Sequence, residues 1–337
     1  MRFRRDQIAV LAFTLLTVVA CDSAPIVMAA DELSSPLILE TEIPLDRVAG
    51  RIDHMAVDLE RHRLLVAELG NDTVDVIDLD TLRPVNRITG LHEPQGVGVS
   101  AGLLVVANGG DGTVALYRND DLSPLGSIAL GEDADDVHVD QRTGRIFVGF
   151  GEGAVAIVDP ATRAKIGEIK VAAHPEGFQF AAGGDQGYIN VPGAHQIAVI
   201  SDGRQVASWS LPRSQANFPL ALDAAGATAA VVFRNPPRLA LYDTKTGAAR
   251  VKETCGDADD VFFDDRRSRV YVSCGSGAVD VFNKAQLSRL AEITTKQGAR
   301  TSLFVPELDR LFVAARSGWF SDAKILVYRP EDGASRK

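Results

Sequence analysis

Short apolar runs recur along this chain at a near-constant interval, each alternating with polar positions and each ended by a turn rich in Gly, Asn or Asp. Met55-Ala56-Val57-Asp58, Arg63 to Glu68, Thr73 to Asp78 and Val85 to Ile88 are four such runs, divided by Leu59 to His62 and by Gly70-Asn71-Asp72. Runs this short and β-branched fit strands, because such side chains pack on a pleated surface and the turn residues tolerate positive φ. The pattern predicts four antiparallel strands within about forty residues.

The same unit returns seven times. Asp53-His54-Met55, Gln95-Gly96-Val97, Asp135-Asp136-Val137, Glu176-Gly177-Phe178, Phe218-Pro219-Leu220, Asp259-Asp260-Val261 and Arg300-Thr301-Ser302 align at successive spacings of 42, 40, 41, 42, 41 and 41 residues. The third and sixth units match best, from Asp133 to Val137 against Asp257 to Val261 and from Arg145 to Val148 against Arg269 to Val272. A four-stranded repeat of this period is the blade of a propeller, not a helical solenoid. The seventh unit supplies only Ser302 to Val305, Arg310 to Ala314 and Lys324 to Tyr328, while Leu37 to Ile43 is a spare alternating run ahead of unit one. That run is expected to complete the last blade and leave no open sheet edge. The expected fold class is therefore an all-β, seven-bladed β-propeller of four-stranded antiparallel blades, a single domain over residues 31–337 closed by its N-terminal strand.

Leu104-Val105-Val106-Ala107-Asn108, Asp111 to Tyr117 and Thr73-Val74-Asp75-Val76-Ile77-Asp78 resemble the YVTN-type repeat of YncE-like bacterial secreted propellers. The resemblance spans about residues 37–330. It implies an exported propeller and, since members of that family mostly lack an assigned activity, little about function. Units four and five depart from it, with Val191-Pro192-Gly193 and Asn235-Pro236-Pro237 where the repeat has Asn-x-x-Asp/Ser.

The first thirty residues read differently. Arg2, Arg4 and Arg5 precede an apolar stretch from Ile8 to Ala20, the pattern of a secretory signal peptide and too short for a mature membrane span. Val18-Val19-Ala20-Cys21 resembles a lipobox that would put a lipid on Cys21, and Val27-Met28-Ala29-Ala30 offers an ordinary cleavage site. The expected address is the periplasm or the exterior, with the membrane reached only through a lipid anchor on Cys21. A formal net charge of −10 repels polyanions at long range and argues against nucleic acid as a partner. After Cys21 only Cys255 and Cys274 remain, a pair that an oxidising compartment allows to join, or else two buried thiols.

In a propeller, the loops entering the innermost strands share one face with those joining second strands to third. The entry loops place Asp53, His54, Gln95, Asp135, Asp136, Glu176, Asp259, Asp260 and Arg300 at the channel mouth, the expected ligand site. Asp53, Asp135, Glu176 and Asp259 occupy equivalent positions, so they raise one another's pKa or recruit a cation. A repeat would equally copy such residues as turn formers that accept backbone N–H bonds. Arg300 either pairs a neighbouring carboxylate or grips an anionic group of a ligand. His174, Glu176 and His195 of unit four are the densest candidate for a divalent cation, though no local zinc signature supports them. Arg316, Trp319 and Phe320 lie in the longest hairpin loop of this face, as a partner contact or as a cover over the seventh blade.

No haem attachment site, phosphate loop or dinucleotide fingerprint occurs. The leading functional expectation is a binding or scaffold propeller that engages a small ligand or a periplasmic protein through its acidic face. The alternative, by analogy of fold and residue type with propeller lactonases and lyases, is a metal-dependent enzyme with a divalent ion at the mouth. An electron-transfer subunit of a quinone-type dehydrogenase would use the same blades.

Overall fold

Seven separate four-stranded antiparallel sheets make up the structure, a computed structural model that describes residues 35–182 and 184–332. The signal peptide and lipobox expected over residues 1–30 lie outside the described residues. Blade one has the strands Met55–Asp58, Arg63–Glu68, Thr73–Asp78 and Arg83–Thr89, the runs that alternation predicts. The innermost strands of blades two to seven are Pro94–Ser100, Ala134–Val139, Phe178–Phe180, Gln215–Leu222, Ala258–Asp264 and Ser302–Val305. Blades four and five keep four strands despite their degenerate turns. Pro192 opens a short 3₁₀ turn, Pro192–Ala194, and Asn235-Pro236 is a cis peptide at the tip of a hairpin.

No single core exists; each blade buries both faces against its neighbours. Every apolar cluster draws on two adjacent blades, such as Leu65, Val74 and Val76 of blade one with Val97, Leu104 and Val106 of blade two. Aromatic stacks also join adjacent blades. Trp209 lies between Tyr188 and Tyr242 at centroid distances of 4.9 and 5.3 Å, and Phe147 stacks on Phe180 at 4.2 Å. Cys255 and Cys274 are joined as a disulfide within blade six, their Cα atoms 5.8 Å apart.

The ring is closed by strand Leu37–Leu45, which runs two residues beyond its expected end and pairs antiparallel with Ala323–Pro330. Blade seven thus has the N-terminal strand outside and Ser302–Val305 inside. Pairs of charged residues fasten the closure at its surface, including Lys324 to Glu42 at 2.6 Å. Ile43 is fully buried among Leu64 and Ile77 of blade one and Phe312, Ile325 and Val327 of blade seven. Removing its side chain leaves a cavity at the joint between the two ends of the chain. Ile43→Ala is expected to cost about 3 kcal/mol in urea-induced unfolding, and Ile38→Ala, on an exposed position of the same strand, under about 1 kcal/mol. Equal losses would contradict closure through this strand.

Candidate ligand site at the channel mouth

Where the innermost strands begin, the sheets depart from regular pleating, and the departure aims polar residues at the axis. The register against the second strand shifts between Pro94 and Val97, Ala134 and Val137, Asn217 and Leu220, and Ala258 and Asp260. In a regular strand successive side chains point to opposite faces, whereas a bulge breaks the alternation. Consecutive Asp135 and Asp136 therefore both line the channel. Gly96 and Gly177 let adjacent blades close up at this level. A Cβ on Gly96 would run into the carbonyl oxygen of Asp135, and one on Gly177 would lie 2.5 Å from that of Phe218.

The result is a cavity of about 700 Å³ lined by all nine residues expected at the mouth: Asp53, His54, Gln95, Asp135, Asp136, Glu176, Asp259, Asp260 and Arg300. Most of its charges are paired. Arg51 Nη2 lies 2.8 Å from Asp53 Oδ2. Arg300, whose role the sequence left open between pairing and gripping, reaches Asp257 at 3.0 Å and Asp259 at 2.9 Å. Arg234 also pairs with Asp259, donates from Nε to the Ala258 carbonyl at 2.7 Å and lies 3.8 Å over the Phe218 ring. His174 stands with Nδ1 2.7 Å from the Gly151 carbonyl and Nε2 3.7 Å from Asp135. Two of the acids are structural ties: Asp260 accepts the Ser302 N–H at 2.6 Å, and Asp136 accepts the Phe178 N–H, each from the next blade. Glu176, half-buried, and Glu93, exposed, are exceptions, for neither carboxyl makes a hydrogen bond or ion pair among the described residues.

Crowding sets the protonation. Burial, reinforced by Asp135 and Asp259, pushes Asp53 up to about 7 against the pull of His54 and Arg51. Burial and the Asp135 carboxylate push Glu176 to about 7, and burial with Asp259 does the same to Asp260. His54 keeps 27% of its side-chain surface open to the cavity. Burial opposes its charge, but Asp136, Asp53, Asp260 and Asp135 surround it and raise it to about 10. His174 likewise rises to about 9 against burial, through Asp135, Gly151 and Asp133. His138, on Ala134–Val139 further along the channel, is held down to about 4 by burial beside Phe147 and Phe180. The mouth thus carries imidazolium groups among carboxylates, while His138 is neutral.

Three expectations need correction. His195 does not reach the cavity: it ends the Pro192–Ala194 turn with φ 53 and is exposed, so the set His174, Glu176 and His195 is not assembled. Among the described residues no three His, Cys, Asp or Glu side chains are grouped to hold a metal ion, and Asp53, Asp135 and Asp259 are committed to Arg and His partners. Trp319 and Phe320 do not cover blade seven, since they stand 98% and 102% exposed at the tip of the Gly318–Ser321 hairpin. Arg316 parts from them and lines a small cleft with Arg51 and Arg300. Arg51, two residues ahead of the aligned positions, was not foreseen at the mouth; the only hint was that a buried Asp53 needs a counter-charge.

The chain is a seven-bladed β-propeller, and similarity to known proteins extends to that fold alone. No family model matches the sequence, and no curated protein does. Among solved structures, hydrazine synthase of Kuenenia stuttgartiensis is similar at a TM-score of 0.76 and 14% identity, over 88% of this chain and 99% of that one. At that identity the likeness is one of fold.

Asp53, Glu176, Asp260, His54 and His174 all bind their protons more tightly in the folded chain than in the unfolded one. Folding takes up protons there, so stability falls as pH rises: from about 4 to 7 for the acids, and from 6.5 to about 9 and 10 for His174 and His54. His138 works the other way, but only below 6.5. The melting temperature is expected to drop by several degrees between pH 6.5 and 9, at roughly 2–4 °C for each kcal/mol lost. A flat or rising profile in differential scanning calorimetry would contradict the crowding.

Proposed function

We propose that this chain is an exported binding protein whose axial cavity holds a small, positively charged organic molecule. The observation that carries the reading is Glu176, a half-buried and unpartnered carboxyl on the ring shared with Asp53, Asp135 and Asp259. A carboxyl raised by its acidic neighbours gains most from a cation brought beside it. Across the lining, eight carboxylates face three guanidinium groups and the two raised imidazoles, so negative charge remains after internal pairing. A space of about 700 Å³ suits a small organic ligand. Phe218, under Arg234, adds an aromatic wall. The resemblance to YVTN-repeat propellers and the N-terminal signal pattern support export, to the periplasm or beyond.

Titration calorimetry at pH 7 and low salt tests this with cadaverine and agmatine as probes, glutarate as the anionic control and calcium as a divalent control. Both amines are expected to bind with a stoichiometry of one, and Glu176→Gln to weaken them about tenfold by removing one charge-assisted contact. Binding of glutarate or calcium without the amines, or amine affinity unaltered in Glu176→Gln, would refute the reading.

A further inference from the structure

Between blades seven and one a second, smaller space of about 100 Å³ opens at the mouth. Its lining is opposite in character to that of the main cavity: Arg51, Arg300 and Arg316 line it together with a single carboxylate residue, Asp257. Arg51 and Arg300 line both spaces, so the cleft and the cavity adjoin. Arg51 is held by Asp53, and Arg300 by Asp257 and Asp259. Arg316 has no such partner. Its guanidinium makes no hydrogen bond or ion pair among the described residues, yet it is in close contact with Gly298. Gly298 has φ +84, and a Cβ there would collide with the Arg316 Nε; bare backbone is what admits the guanidinium.

We infer that this cleft is an anion subsite and that the ligand of the axial cavity is a zwitterion, its carboxylate held by Arg316 with Arg51 and Arg300 while its cation lies beside Glu176. The inference rests on the cation-binding reading and extends it. With Arg51 and Arg300 already paired to carboxylates, the Arg316 guanidinium is the positive charge in the cleft without a partner, on a chain of net charge −10. Guanidinium presents paired N–H donors that match a planar carboxylate. The adjoining carboxylates repel a free polyanion, but a monoanion tethered to a cation satisfies both regions at once. Blade four, which carries Glu176, stands across the ring from the junction of blades seven and one, so such a ligand lies over the axis. A basic amino acid has this chemistry.

The experiment compares arginine with agmatine, and lysine with cadaverine, each pair differing by the carboxylate alone. In the unaltered protein each amino acid is expected to bind at least about tenfold tighter than its decarboxylated partner. In Arg316→Gln, which alters an exposed side chain, that ratio is expected to fall to within about threefold, and Arg316→Lys to restore part of it. A ratio near one in the unaltered protein, or a ratio that survives in Arg316→Gln, overturns the carboxylate subsite while amine binding still upholds the cation reading. Failure of amines and amino acids alike overturns both. Inorganic phosphate that binds tighter than arginine and is lost in Arg316→Gln overturns the zwitterion in favour of a phosphate site.

Discussion

A sheet that buries both faces cannot stop at an end, and this constraint governs the molecule. Each blade depends on two neighbours for its core, so a row of seven would leave two apolar faces in water. Pairing of Leu37–Leu45 with Ala323–Pro330 removes the problem by making the first residues of the domain the outermost strand of the last blade. The ring also fixes what happens at its centre. Innermost strands from seven blades must start close to one axis, where glycines at Gly96 and Gly177 allow the approach.

Convergence makes charge at those starting points a shared property rather than a local one. Asp53, Asp135, Glu176 and Asp259 lie far apart along the chain, yet Asp135 and Asp259 both help to raise Asp53 and Glu176. Arginines from blades five and seven and from the loop before blade one, together with two imidazolium groups, offset most of this charge and leave an unpartnered acid on one side and an unpartnered guanidinium on the other. The mouth is therefore polarised across its width. In the binding role proposed above, that polarity, more than its size, selects the ligand.

Much of this was legible in the sequence because repetition turns position into geometry. Aligning Asp53, Gln95, Asp135, Glu176, Phe218, Asp259 and Arg300 placed them on one ring, and the lone alternating run at Leu37 identified the closing strand. Degenerate turns in units four and five did not disturb the sheets, since the apolar runs of Gln196–Ser201 in unit four and Pro237–Asp243 in unit five persist. What could not be read was backbone detail. The bulges that send Asp135 and Asp136 the same way leave no mark in the residue pattern, nor does the use of Asp136 and Asp260 as ties between blades. His195 misled because a left-handed turn end, not its place in the repeat, decides where its ring points. Arg51 and Arg316 matter because side chains of separate loops meet in one cleft, which a single unit does not reveal.

The convergence of acids on the axis is tested most directly at His54, which four carboxylates surround. An NMR pH titration of the imidazole resonances, assigned with His54→Gln, should find His54 still protonated well above pH 8, titrating near 10, while His138 stays neutral down to about 4. A His54 that titrates near 6.5, as a solvated histidine does, would mean that the carboxylates do not gather around it and that the mouth is not the site described.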